Sequence, residues 1–193
     1  MSWLGKLGGG NSEKAGAGAE GAPAPAPVER SAPGLAAFFD GVPEDGSHAV
    51  LDFGSAAEAT FRLYSRFARH IRFVDLLTDS PQGEAWDSAL EAVPQSPENP
   101  YDLVLAWNLL DWLSPADRIL LVRRLTKLTA HGARLYVVVD QSGSKTTHPL
   151  RFSIVDFDRV RQEPAGPLRS TQPQLLPAQV ERLLEPFQVV HAY

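Results

Sequence analysis

The chain has 193 residues, which is the usual size of one domain, and a net charge of -5, which argues against nucleic acid as a partner. It contains no cysteine, so disulfides, thiolate zinc sites and a cysteine nucleophile are excluded, and a reducing compartment is expected. No apolar run approaches the roughly 20 residues of a membrane span, and the start lacks the apolar core of a signal peptide. We therefore expect a cytoplasmic protein with no membrane span.

Residues 1–34 differ in composition from the rest of the chain. The stretch from Gly8 to Gly34 is built mainly from Gly, Ala, Pro, Ser and Glu, which predicts an extended linker without a core. Ahead of it, Trp3, Leu4 and Leu7 have helical spacing. They form either a tethered docking peptide for a protein partner or a ragged terminus, since seven residues do not make a stable helix alone. We expect residues 1–34 to be disordered and residues 35–193 to form one domain.

From Leu35 onward, helical and strand patterns alternate along the chain. In chain order we predict a helix in GLAAFFDGV, a strand in HAVLDFG, a helix over Ala56–His70, a strand in IRFVDLL, a helix in EAWDSALEAV, a buried strand in YDLVLAWN, a helix over Ser114–Leu128, a Gly stop and another buried strand in HGARLYVVVD, an extra strand in LRFSIVDF, a helix in LPAQVERLLEPF and a final strand in QVVHAY. The order predicts an α/β fold of three layers, with a doubly wound and mostly parallel sheet. The ligand crevice of such a sheet lies at the carboxyl ends of its strands.

The first predicted strand ends in a turn that is typical of a cofactor loop. Asp52 and Gly54 close the strand, and Gly supplies a positive φ and room for a cofactor against the backbone. A full glycine-rich loop repeats glycine where this chain has Ala56 and Glu58. Alanine in the left-handed conformation costs roughly 1–2 kcal/mol. The turn is therefore either a weakened cofactor loop or an ordinary strand-to-helix connection.

Two further positions at this edge carry polar groups. Asp75 ends the second predicted strand, where an acid accepts the hydrogen bonds of a ribose diol or caps a turn. After the next strand, Asn108 and Asp111 are polar, and Trp107 and Trp112 either stack on a flat ligand ring or belong to the core. The five histidines have no metal-like spacing, so we expect no metal site and name no catalytic residue.

These segments resemble the class I S-adenosylmethionine-dependent methyltransferases. HAVLDFGSAAEAT resembles their first motif, IRFVDLL their second strand, and the stretch from PYDLVLAWN to RLYVVV their fourth strand, helix and fifth strand. The chain resembles a divergent member of this family, because two of three motif glycines are replaced, no third strand is evident between Asp75 and Tyr101, and one or two family strands are expected to be missing at the C-terminal side. The resemblance implies S-adenosylmethionine as cofactor, with adenine near Asp79–Glu84, and a binding set made of Asp52, Gly54, Ser55, Ala56, Asp75, Leu76, Asn108 and Leu109.

Two functions are compatible with this sequence. The first is methyl transfer from S-adenosylmethionine to a small-molecule or protein acceptor, which needs few catalytic side chains because the sulfonium is already a good electrophile. The second is a catalytically silent methyltransferase-like module, which binds a protein partner through residues 1–7 or through an exposed sheet edge. A dimer through such an edge is a further prediction.

Overall fold

The structure, a computed structural model, describes residues 25–79, 86–91, 93 and 99–191. The predicted docking peptide at residues 1–7 and most of the Asp79–Glu84 stretch lie outside these ranges. Across the described residues, no helix has the length and apolar character to cross a bilayer.

Nine strands and six helices are found in this part of the chain. The strands are β1 (Val28–Ser31), β2 (His48–Asp52), β3 (Ala68–Phe73), β4 (Tyr101–Trp107), β5 (Thr129–Val137), β6 (Thr146–Thr147), β7 (Leu150–Asp156), β8 (Arg159–Pro164) and β9 (Arg169–Ser170). The helices are α1 (Pro33–Phe39), α2 (Glu58–Tyr64), α3 (Leu76–Asp79), α4 (Trp86–Glu91), α5 (Pro115–Leu128) and α6 (Pro177–Leu183), and a short 3-10 helix covers Leu109–Asp111.

The central sheet has four parallel strands in the order β3-β2-β4-β5. The chain winds outward from β2 to β3 in one direction and from β4 to β5 in the other. The winding direction therefore reverses between β2 and β4, and the crevice of an open α/β sheet is expected at the carboxyl ends of these two strands. Six of the seven residues of β4 are buried, as its continuous apolar run predicts.

Layers of helix and strand cover both faces of this sheet. Side chains alternate across a strand, so Val50 of β2 packs with α1, α2 and β7 on one face. Its neighbour Leu51 packs on the other face with α4 and α5. The prediction of an α/β fold with a largely parallel sheet is thereby confirmed. The described part of the interval between Asp75 and Tyr101 contains helices and no third strand, as the sequence indicated.

Helix α5 is the element that the sequence predicts most closely. Pro115 occupies its first turn, and the Ser114 hydroxyl accepts a hydrogen bond from the amide of Asp117 at 3.2 Å. The helix ends at Leu128, however, and β5 begins directly afterwards, so Gly132 does not stop the helix. Gly132 lies within β5 with a φ of 77°, where the register with β4 shifts.

A second, antiparallel sheet has the strand order β1-β8-β7. Residues 28–31, which we expected in the extended linker, form β1 and pair with β8. This part of the linker prediction is wrong, because β8 offers a free edge to which even a short and exposed segment can bond. The predicted strand LRFSIVDF is confirmed as β7, which pairs with β8 rather than with the parallel sheet.

The boundaries of two other predicted elements are wrong. Helix α2 covers Glu58–Tyr64 instead of Ala56–His70, because the chain turns after Ser65 and Ala68–His70 pair with β2. Strand β3 consequently ends at Phe73, and Asp75 lies two residues beyond it.

The structure also corrects two expectations near the C-terminal side. None of the nine residues of β5 is buried, although the sequence predicts a strand covered on both faces. The described residues 188–191 of the QVVHAY segment do not form a strand.

Candidate functional site

Five of the eight predicted cofactor residues line one cavity at the reversal point between β2 and β4. They are Gly54, Ser55, Asp75, Asn108 and Leu109, and the wall opposite them contains Leu150, Arg151 and Phe152 of β7. The sequence therefore predicts which residues share this edge of the sheet. It gives no indication that β7 lies across them.

Asp52 is buried beneath the cavity, where three internal donors bind its carboxylate. The Tyr64 hydroxyl donates to Oδ2 at 2.7 Å, while the Trp107 indole and the Gly54 amide donate to Oδ1 at 2.5 and 2.8 Å. Burial raises the pKa of Asp52 to about 6, although the three hydrogen bonds oppose this rise. The carboxylate thus ties together β2, α2 and β4.

Gly54 is required by this network and not by a left-handed turn. Its φ is not among the positive values of the chain, so the expected role of glycine flexibility at this position is wrong. A Cβ at residue 54 would lie 2.9 Å from Asp52 Oδ1 and 3.0 Å from Trp107 Nε1. The position therefore excludes a side chain because the polar contact between Asp52 and Trp107 fills the space.

Ser55 connects the two ends of the crevice. Its hydroxyl donates to the Asp75 carboxylate, and it accepts a hydrogen bond of 3.0 Å from Nε of Arg151. The acidic side chain after β3 is thus linked through Ser55 to a cation from β7. Arg151 was not predicted as a site residue, and the only signal for it is a single arginine inside the otherwise apolar start of β7.

Trp107 and Phe152 close the crevice. Their rings are stacked, with centroids 4.8 Å apart and an interplanar angle of 7°. Trp107 has a φ of 43°, an uncommon conformation for a residue other than glycine, and this conformation occurs where β4 ends against β7. The tryptophan that we expected to stack on a ligand ring stacks on a ring of the protein itself.

The remaining predicted cofactor residues face elsewhere. Ala56 is exposed in the turn before α2, and Leu76 is buried in the core next to Leu51 and Val104. Trp112, the other predicted stacking residue, also packs within this core. These residues have no polar or planar group directed at the crevice.

Asn108 lies at the end of β4 and is 8% exposed. Its Oδ1 is buried without a hydrogen-bond partner among the described residues. A buried amide oxygen without a donor is unusual and costs about 1–3 kcal/mol. A hydrogen-bond donor on a ligand could bind this oxygen and remove that cost.

A second polar cluster follows Asn108. Asp111 is buried, and its Oδ2 accepts a hydrogen bond of 3.1 Å from the amide of Asp140. Burial raises the pKa of Asp111 to about 6, and Arg118 opposes this rise. Arg118 itself donates to the carbonyls of Leu110 at 2.8 Å and Pro173 at 3.0 Å. The cluster joins the segments that follow β4 and β5.

The crevice does not fit S-adenosylmethionine in this conformation. The cavity between its walls has a volume of about 10 Å3, which is the space of a single water molecule. Pockets for ligands of nucleoside size occupy roughly 300 Å3 or more. A larger cleft of about 230 Å3 lies at the opposite, amino ends of β2 and β4, and none of the predicted cofactor residues lines it.

The structure is that of an α/β protein with a parallel sheet. The crevice at the point where the winding direction reverses contains polar side chains and is closed by Trp107 and Phe152. Within the described ranges, no group of three or more potential ligands could hold a metal ion. Comparisons with protein-family profiles, with curated proteins and with solved structures found no match to this chain.

Proposed function

We propose that this chain is a catalytically silent, methyltransferase-like domain that functions as a binding module for a protein partner. The observation that carries the proposal is the stack of Phe152 on Trp107, because it fills the crevice in which a cofactor would lie. The methyltransferase-like fold is part of the proposal. It is supported by the strand order β3-β2-β4-β5 and by the resemblance of the segments that form these strands.

Two side chains of β7 occupy the crevice in place of a cofactor, and their chemistry supports the proposal. A nucleoside cofactor with a sulfonium group presents a planar ring and a positive charge. In this chain Phe152 supplies a ring against Trp107, and Arg151 supplies a cation that reaches Asp75 through Ser55. Asp52 supports the same interpretation, since its two oxygens are already bound by three protein donors.

A second candidate is a methyltransferase that uses S-adenosylmethionine and acts on a small-molecule or protein acceptor. Two observations favour it. Asp75 and Ser55 lie together at the carboxyl end of the sheet, and Asn108 keeps an unpartnered buried oxygen at the cavity. This function requires β7 to leave the crevice before the cofactor binds.

Calorimetric titration with S-adenosylmethionine and S-adenosylhomocysteine separates the two functions. We expect no binding heat at several hundred micromolar ligand. Binding in the micromolar range would overturn the proposal and support the enzyme.

Two variants show whether β7 controls access of the cofactor to the crevice. Phe152→Ala removes the ring that fills the crevice, and the matched control Phe61→Ala removes a ring that is 54% exposed on α2. An enzyme with a movable β7 gains affinity only in the first variant.

The partner prediction is tested separately with a truncated chain. Strand β1 and Ala32 are part of the folded unit, so the truncation removes residues 1–24 and leaves Val28 and its β8 pairing intact. We expect the full chain to retain a protein partner that the truncated chain does not retain. Identical partner sets would reject the docking peptide.

A further inference from the structure

The cleft of about 230 Å3 at the amino ends of β2 and β4 lies beside an irregularity in β5. Tyr101 pairs with Thr129, and Leu103 pairs with Arg134, so β5 advances five residues while β4 advances two. The extra residues of β5 leave the ladder, and residues 131–133 line the cleft. The cleft therefore results from the backbone path of β5.

Arg134 is held at this cleft by the backbone of the segment that ends α1. Its Nη1 donates to the carbonyls of Phe38 and Asp40, at 2.7 and 2.6 Å. A guanidinium has further N–H groups on Nε and Nη2, and these are directed away from Nη1. Among the described residues, no carboxylate forms an ion pair with Arg134. A fixed cation without a counter-ion suits an anion, because guanidinium groups bind carboxylate and phosphate through paired hydrogen bonds.

His48 brings a second polar group to the cleft. Its Nε2 is buried without a hydrogen-bond partner in the described part of the chain. Its Nδ1 lies 4.0 Å from Oδ2 of Asp102, and this oxygen accepts a hydrogen bond of 2.7 Å from the amide of Ala49. The one carboxylate among the lining residues is thus already engaged with β2. A ligand that reaches Nε2 would remove the cost of leaving a buried polar atom unpaired.

We infer that this cleft binds a small anion through a carboxylate or phosphate group. Arg134 supplies the positive charge and N–H donors, and the imidazoles of His48 and the exposed His131 add further donors. The volume suits a small ligand, because pockets for ligands of nucleoside size occupy roughly 300 Å3 or more. The inference goes beyond the proposed function, since the cleft and the crevice have no lining residue in common among those described.

Titration of the full chain with inorganic phosphate and with acetate, followed by amide NMR at constant ionic strength, tests the site. We expect saturable shifts at Gly41, Gly132 and Arg134, with a Kd of about 1 mM for the preferred anion. Tighter binding of phosphate would identify a phosphoryl ligand, and tighter binding of acetate a carboxylate ligand. Shifts that do not saturate by about 50 mM, or that sodium chloride alone reproduces, would overturn the inference.

A substitution at Arg134 tests which group binds the anion. Arg134→Gln removes the charge and retains an N–H donor, and it should weaken binding by roughly tenfold or more. The matched control Arg123→Gln removes an exposed arginine of α5 that does not line the cleft, and it should leave binding unchanged. Equal affinities in the two variants would place the anion elsewhere and reject the inference.

A substitution at His131 gives an independent answer if Arg134→Gln fails to fold. The His131 side chain is exposed, so His131→Ala should leave the stability nearly unchanged. We expect it to weaken anion binding by roughly threefold or more, because one hydrogen bond to the ligand is lost. The control His70→Ala removes an exposed histidine of β3 that does not line the cleft. The same affinity in His131→Ala and His70→Ala would contradict the inferred site.

Discussion

Trp107 and Phe152 lie face to face, with ring centroids 4.8 Å apart, although they belong to two different sheets. Trp107 ends a strand of the parallel sheet, and Phe152 lies on an outer strand of the antiparallel sheet. The contact joins the two sheets at the point where the winding direction reverses. Four predictions concern this contact and the polar groups around it.

Replacing Phe152 by alanine should destabilise the fold strongly. Phe152 is 4% exposed, and its removal leaves a cavity against Trp107, so we expect a loss of about 3–5 kcal/mol in the free energy of unfolding. Chemical denaturation measures this loss. Phe61→Ala is the control, because a ring that is 54% exposed should contribute far less. Equal losses in both variants would show that the stack does not hold the sheets together.

Gly54→Ala should destabilise the protein by about 1–3 kcal/mol, because the new methyl group meets Asp52 and Trp107 at 3.0 Å or less. The same substitution in a Trp107→Phe background should cost less, since the indole nitrogen is then absent. The double-mutant cycle is measured by denaturation. An unchanged cost in that background would contradict the steric role of the indole.

Asp52 should make the protein less stable as the pH rises. Its pKa is about 6 in the folded chain, against 3.8 ordinarily, so folding favours the protonated form. The stabilisation is complete below the ordinary pKa and disappears as the pH rises through the folded one. This increase in the pKa of Asp52 corresponds to a loss of about 3 kcal/mol in the free energy of unfolding between pH 3 and pH 7.5.

The variant Asp52→Asn isolates this contribution, because the amide does not titrate. Relative to the unsubstituted chain, its free energy of unfolding should improve as the pH rises from about 4 to about 6.5 and should change little above that. Asp111 titrates in both proteins and cancels in the difference. Asp158→Asn, at an exposed acid, is the control. A difference that is constant with pH would show that the pKa of Asp52 is not raised.

Arg118→Leu should destabilise the protein by about 2–4 kcal/mol, because the buried guanidinium binds the carbonyls of Leu110 and Pro173. Arg123→Leu, at an exposed position of the same helix, should change the stability by less than about 0.5 kcal/mol. Thermal and chemical denaturation compare the two. A cost at residue 118 no greater than that at residue 123 would remove the structural role of Arg118.

The sequence predicts the elements whose hydrophobic pattern is strong and local. Strand β4 is a continuous apolar run, and α5 combines a regular apolar face with Ser114 and Pro115 at its start. The position of Gly54 and Asp75 at one edge of the sheet follows from the rule that parallel strands end together. For these features, short-range information is enough.

The errors concern features that depend on a distant partner. Strand β1 is short and exposed, and it exists because β8 lies beside it. Residues 188–191 have a strand-like composition, yet they form no strand. Phe152 fills the crevice because of the way the two sheets pack together. No local sequence pattern predicts that packing.

Strand β1 also connects the N-terminal segment mechanically to the crevice. The chain enters the domain at Val28, bonds to β8, and β8 bonds to β7, whose Arg151 and Phe152 cover Asp75 and Trp107. Helix α1 follows β1 after one residue and packs on the parallel sheet, so β1 is connected to that sheet both through α1 and through β8 and β7. The pairing of β1 with β8 and the position of β7 over the crevice are therefore structurally coupled.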